Sequence, residues 1–203
     1  EGLWIMDTAD HRLRELAIDI AADELQSAVS SEVVSRDAGE LSVAGDGDEL
    51  AMVIRGEMVL VNKELEGRAR VVLPGPWRES DVQFRPGSAD TLLMISDSQS
   101  RRGVPYARLG LVVSDDPEHT NLRQARRHRV EWLTPAGVEC ASPQWSPDGK
   151  LISYIHGQGK LAVIEADGSD RRILFEGWDN PEVAWSPDSR WLAYAVATGS
   201  DYN

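Results

Sequence analysis

Pro143-Gln144-Trp145-Ser146-Pro147-Asp148-Gly149-Lys150-Leu151-Ile152-Ser153-Tyr154 is one unit of a repeat. Its core returns 40 residues later, as Trp185-Ser186-Pro187-Asp188-Ser189-Arg190-Trp191-Leu192-Ala193-Tyr194. A short strand carries the tryptophan inward, and Ser-Pro-Asp-Gly then reverses the chain. Proline presets φ at the first turn position, aspartate can bond its own backbone, and glycine accepts positive φ at the exit. Ser189 stands where that glycine would be, a substitution that a turn tolerates at small cost.

The rest of the unit follows from Tyr154. Residues 151–155 form a second strand, and His156-Gly157-Gln158-Gly159 turns the chain into a third at 160–164. Asp167-Gly168-Ser169 leads to a fourth at 171–175. Two degenerate copies lie upstream. One is Val43-Ala44-Gly45-Asp46-Gly47, running on to Met52, with its own third and fourth strands at 57–61 and 69–73. The other is Phe84-Arg85-Pro86-Gly87-Ser88, continuing through Leu92-Leu93-Met94-Ile95. The anchors Val43, Phe84, Trp145 and Trp185 are spaced 41, 61 and 40 residues apart. The middle interval is one period plus an insertion of roughly 20 residues, within the range of blade-sized repeats.

A four-stranded sheet of this kind cannot bury both faces alone, so copies must stack. The sequence therefore predicts an all-β fold of β-propeller blades, each of four antiparallel strands. A β-sandwich also has short strands with frequent turns, but it does not repeat the same turn at a fixed period. Residues 1–16 read as the last two strands of a preceding blade, at 3–6 and 13–16. Residues 17–40 read as a linker or crossover, and 41–203 as three blades plus the first half of another. Within the link, Leu16, Ile20, Ala21 and Leu25 recur at helical spacing, so an amphipathic helix competes there, whereas Val33-Val34 reads as strand. Half plus three plus half fits part of a larger, seven-bladed ring whose chain extends beyond both ends. It also fits a closed four-bladed ring with a composite blade.

The phrase from Pro143 to Tyr154, an apolar strand and then Asp167-Gly168-Ser169 resemble the repeat shared by tricorn-protease and TolB propellers. Residues 4–16 followed by a long link resemble the passage from tricorn's six-bladed propeller into its seven-bladed one. Leu41 to Gly47 with Ala51 to Met58 is similar to that second propeller's opening blade, and Trp185 to Tyr194 to its counterpart there. Gly45 departs from the pattern, standing where proline is usual. The resemblance implies a segment of a cytoplasmic serine peptidase of large homo-oligomeric assembly, in which propellers gate or guide peptides and scaffold assembly. The catalytic domains are separate, so no catalytic residue is carried over, and the expected partners are peptides and the rest of the parent chain. A TolB-like interaction propeller with no peptidase activity is the alternative. A small-molecule or sugar enzyme housed in the central funnel is weaker, since the inner strands offer no cluster of ionisable groups.

Composition narrows the partners. The chain has 203 residues, 41% hydrophobic and 27% charged, which suits a packed globular protein. Its formal charge of −13 repels phosphate backbones, so neither nucleic acid nor an anionic membrane is an expected partner. No apolar run approaches the ~18 residues of a membrane span. Cys140 is the only cysteine, which precludes an internal disulfide and gives an oxidising compartment no support.

Reactive constellations are missing from the sequence: there is no Gly-x-Ser-x-Gly elbow, phosphate loop or His-Glu-x-x-His. No catalytic, cofactor or metal residue is assigned, and no substrate-binding residue can be named. His11, His119, His128 and His156 fall in turns or on charged strands and read as solvated. Gly45-Asp46-Gly47-Asp48-Glu49 lacks the spacing of a calcium loop and reads as a hairpin turn. Cys140, just before a strand, reads as a small buried filler; nucleophilic use would need a histidine beside it. The basic run Arg123-Gln124-Ala125-Arg126-Arg127-His128-Arg129 reads chiefly as a solvated strand paired with Asp115, Asp116 and Glu118. Its functional alternative is a cationic rim for an acidic partner or a peptide carboxy-terminus. Two lengthened loops, 96–106 and 115–129, fall on opposite faces of the second blade, which is therefore expected to dominate an interface with a partner or another subunit.

Overall fold

A computed structural model describes residues 3–6, 12–16, 37–62, 69–98, 107–177 and 180–196. The chain divides into two compact units, Glu1–Val34 and Ser35–Asn203. In the first, β1 (Leu3–Met6) and β2 (Leu13–Leu16) form an antiparallel hairpin in which Leu3 lies opposite Leu16. Residues 17–36 of the predicted 17–40 linker, with its helix and strand alternatives, lie outside the described residues, as do His11 and residues 99–106 of the first long loop.

The second unit contains three sheets, each of four antiparallel strands in sequence order. The first comprises β3 (Ala38–Val43), β4 (Glu49–Ile54), β5 (Glu57–Asn62) and β6 (Ala69–Val71). The second comprises β7 (Glu79–Phe84), β8 (Thr91–Ser96), β9 (Arg108–Ser114) and β10 (His128–Trp132). The third comprises β11 (Cys140–Trp145), β12 (Leu151–His156), β13 (Lys160–Glu165) and β14 (Arg172–Glu176). β15 (Glu182–Trp185) and β16 (Leu192–Ala195) form a further two-stranded sheet. No helix occurs among the described residues. The strand order is that of propeller blades, and the all-β fold read from the repeat is the one observed. β3 begins at Ala38, three residues before the position at which the first blade was placed.

Burial explains the residue pattern. All six residues of β8 are buried, because Leu92 and Met94 enter the core shared with the first blade while Leu93 and Ile95 enter the core shared with the third. A strand covered on both faces therefore reads as a continuous apolar run. β4 alternates instead: Ala51 and Val53 face the second blade and are buried, whereas Leu50, Met52 and Ile54 are only half-buried. β14 is an edge strand and is largely exposed.

The Ser-Pro-Asp-Gly turn closes on itself. Ser146 Oγ accepts the Leu151 N–H at 2.9 Å and donates to Asp148 Oδ1 at 2.7 Å, and Gly149 takes φ +66°. The last copy reproduces each bond, with Ser186 Oγ accepting from Trp191 N–H at 2.9 Å and Ser189 held at φ +58°. Ser189 also has a use that glycine would lack: its Oγ accepts the Asp148 N–H of the preceding blade at 2.9 Å.

The first strands β7, β11 and β15 each fasten onto the blade before them. Trp145 Nε1 donates to the Gln83 carbonyl at 3.4 Å, and Gln83 Nε2 returns a bond to the Pro143 carbonyl at 2.7 Å. Trp185 Nε1 donates to Ser153 Oγ at 3.1 Å. Phe84 and Val82 donate their backbone N–H groups to Ser42 Oγ and Glu40 Oε2 at 2.9 and 3.0 Å. In β7 and β11 the ladder shifts register at Asp81 and Ser142, both with positive φ and both three residues before the anchor. These bulges bend the strand and re-aim its side chains.

Candidate functional site

The basic run does not form the structure expected of it. Residues 121–127 are a turn, and β10 starts only at His128. The predicted pairing with Asp115, Asp116 and Glu118 is also corrected. Arg123 Nε lies 3.3 Å from Glu49 Oε1 on the first blade, and Arg129 pairs with Glu131 on its own strand. The Asp116 carboxylate accepts backbone N–H groups from Arg126 and Glu118, each at 3.0 Å, which holds its pKa below the ordinary value. No guanidinium of the run pairs with these three acids among the described residues; the Asp116 carboxylate is taken instead by backbone N–H groups of its own loop.

That loop does not stand away from the protein. Leu122 is fully buried in the core between the first and second blades, and its N–H donates to the Ala89 carbonyl at 3.3 Å. Arg70, on β6, donates through both terminal nitrogens to the carbonyls of Ala125 and Arg126, each at 2.6 Å. The second insertion is thus a plug over the neighbouring blade. The side chains of Arg126 and Arg127 are left exposed, with no acidic partner among the described residues.

Between the outermost strands of these two blades runs an open groove of about 660 Å³. Val71, Val72 and Leu73 line one wall and Val130 and Trp132 the other. Trp77, 43% exposed, stands on the β6–β7 connection, with Arg126 and Arg127 at the loop end and Glu79 and Ser96 at the other. Trp132 is held in place. The Arg108 guanidinium lies 4.5 Å from its ring centroid and is itself bonded to the Thr134 carbonyl, at 3.0 Å from Nε. Gly110 makes the room: a Cβ there would sit 2.8 Å from Val130 Cγ1 and 3.1 Å from Trp132.

Glu79 is a buried residue that the sequence reading did not single out. It is 3% exposed, Oε1 accepts a bond from Ser96 Oγ at 3.4 Å, and Oε2 has no partner. Burial, followed by the charge of Glu57, raises its pKa from 4.5 to about 7. A glutamate opening an alternating strand carries no sequence signal of this. Glu49 shares the pattern at the first position of β4. It is the buried end of the expected hairpin turn, its pKa is raised by burial, and Arg123 and Asn121 oppose that shift.

The remaining candidates show no reactive pairing. Cys140 is the first residue of β11, not a residue before it, and it is buried. His156 does stand opposite it in the β11–β12 register. The thiol, however, contacts Thr134 Oγ1 at 3.5 Å, and burial raises its pKa, while burial lowers that of His156. A neutral thiol beside a neutral imidazole is not an activated nucleophile. The histidines are also less solvated than expected. His128 Nε2 contacts the Leu122 carbonyl at 2.8 Å, His119 Nδ1 lies 3.6 Å from Asp116 Oδ2, and His156 Nδ1 is buried. Asp116, Glu118 and His119 gather their ligand atoms within 4.8 Å, but the aspartate is already committed to backbone N–H groups.

No family profile matches the sequence, and no curated protein matches it. Similar solved structures include a protein assigned as TolB from Agrobacterium tumefaciens, at 16% identity and TM-score 0.57, over 79% of this chain and 54% of that one. The Cps50 (Swd1) β-propeller domain from Myceliophteria thermophila is 12% identical with TM-score 0.55, over 95% of this chain and 55% of that one. The tricorn protease is 12% identical with TM-score 0.54, over all of this chain but 18% of that one. The chain thus spans about half the length of the first two and under a fifth of the third. At these identities the likeness establishes the fold, and the fold is a β-propeller.

Proposed function

We propose that the chain is a non-catalytic β-propeller segment of a tricorn-like serine peptidase, where it guides peptide substrates and scaffolds a homo-oligomeric assembly in the cytoplasm. The observation that carries this reading is the pairing of two features. The described residues present an open groove with an aromatic wall and exposed cations, while the chain's cysteine is a buried, neutral thiol. The groove supports a peptide-guiding role, and the neutral, buried Cys140 thiol supports placing the chemistry elsewhere. The resemblance of residues 4–16, 41–58 and 185–194 to tricorn's propellers supports the choice of parent enzyme, and the tricorn structure aligns over the whole chain.

The test is activity-based labelling of the natural full-length protein with a fluorophosphonate, followed by peptide mapping. The expected result is one labelled serine lying outside the 203 residues, with this chain alone unreactive. Absence of any labelled serine in the full-length protein would overturn the peptidase reading and leave the TolB-like interaction propeller. A label within these residues would overturn both.

A further inference from the structure

We propose that the groove between β6 and β10 is a binding site for an extended peptide whose apolar stretch ends in acidic residues. The site deepens the peptide-guiding part of the proposed function and rests on it, while its test needs only this chain. Its length comes from its walls. The groove follows β10 from Trp132 past His128 to Arg126, seven residues. At about 3.3 Å per residue the extended part matches four to six residues of a bound strand. A volume of about 660 Å³ lies within the usual range for ligand pockets.

The chemistry changes along that length. Val71, Trp77, Val130 and Trp132 make the middle apolar, and Trp132 is fixed before any ligand arrives by Arg108 and by the space at Gly110. Preorganisation of this kind lowers the entropic cost of binding. β6 and β10 are also the edge strands of their sheets, so each borders the groove with backbone donors and acceptors that no other described strand takes up.

Polarity at the loop end selects the ligand's charge. Arg126 and Arg127 are exposed and have no acidic partner among the described residues, in a chain of net charge −13, and Arg70 fixes the backbone beneath them through the carbonyls of Ala125 and Arg126. Exposed cations on a backbone fixed in this way favour carboxylates, from acidic side chains or a peptide's own C-terminus. Asp115 and Glu79, which also line the groove, argue against a polyanion such as a nucleic-acid backbone.

The experiment is a fluorescence-anisotropy titration of the full chain with fluorescein-labelled Ala-Val-Leu-Phe-Asp-Glu bearing a free C-terminus. The comparison peptide is Ala-Val-Leu-Phe-Lys-Lys-amide. The acidic peptide is expected to bind saturably, more weakly as salt is raised, and the lysine peptide not to bind. Arg126→Ala/Arg127→Ala should raise Kd tenfold or more, and Trp77→Ala should raise it at both salt concentrations. Arg172→Ala, at an exposed pair with Asp170, should stay within twofold. Equal binding of the two peptides, no saturable binding, or an unchanged Kd in the double variant would each overturn the proposal. So would sedimentation showing a dimer that the Trp77 and Arg126/Arg127 variants dissociate, because the groove would then hold a second copy. Fluorophosphonate labelling is independent of all these results, so failure here and failure of the peptidase reading are distinguishable.

Discussion

Glu79 shows at the residue scale how placement overrides residue type. The same carboxyl on an exposed turn would ionise near 4.5; buried beside Ser96 and within the field of Glu57, it titrates at about 7. The folded state therefore holds a proton that the unfolded chain releases earlier. Its contribution to stability is full below the unfolded pKa and is lost as pH rises through the folded one. Denaturant unfolding should thus show stability falling between pH 4.5 and about 7 from this group, then levelling. Glu79→Gln keeps the shape and a hydrogen-bonding group but removes the titration. The variant should be more stable than the parent at pH 8 by about 2 kcal/mol, with a smaller difference near pH 5. Equal pH profiles for the two proteins would contradict the assignment.

At the scale of elements, the loop between β9 and β10 shows what an insertion can become. Its excess length led to the expectation of an interface with a partner or another subunit. Leu122 gives it a further role within the chain, by entering the core cluster that also contains Leu92 and Val112. Leu122→Ala should therefore cost 2–4 kcal/mol, as for a buried core leucine. A projecting loop would lose less than about 0.5 kcal/mol on thermal or denaturant unfolding. The turns, by contrast, were legible: Ser-Pro-Asp-Gly and its copy named their own geometry, since φ limits and side-chain acceptors act within five residues. Gly45 was noted as a departure, yet its reason lies 42 residues away. A Cβ there would stand 2.6 Å from the Gly87 backbone carbonyl carbon, and its N–H bonds the Ser88 carbonyl at 3.2 Å. The groove was invisible for the same reason. Trp77, Arg126 and Trp132 meet only once two blades stack, and no periodicity encodes which outer strands face one another. Arg123 illustrates this on the charge side, since its partner Glu49 belongs to another blade.

For the molecule as a whole, one rule organises the Ser35–Asn203 unit: each blade's first strand presents two anchor positions to the blade before it. Val82 and Phe84 are buried there by the first blade, and Pro143 and Trp145 by the second. The matching residues of the first blade, Leu41 and Val43, are 62% and 53% exposed. Their side chains are as apolar as their counterparts, so the difference lies in what covers them. This stacking rule is also what places β6 beside β10 and creates the groove. It is tested most directly by nuclear Overhauser effects from two tryptophan indole protons in isotopically labelled protein. Stacked blades predict cross-peaks from the Trp145 indole N–H to Gln83, 62 residues earlier, and from the Trp185 indole N–H to Ser153, 32 residues earlier. Indole protons that contact only residues of their own sheet would contradict the propeller account.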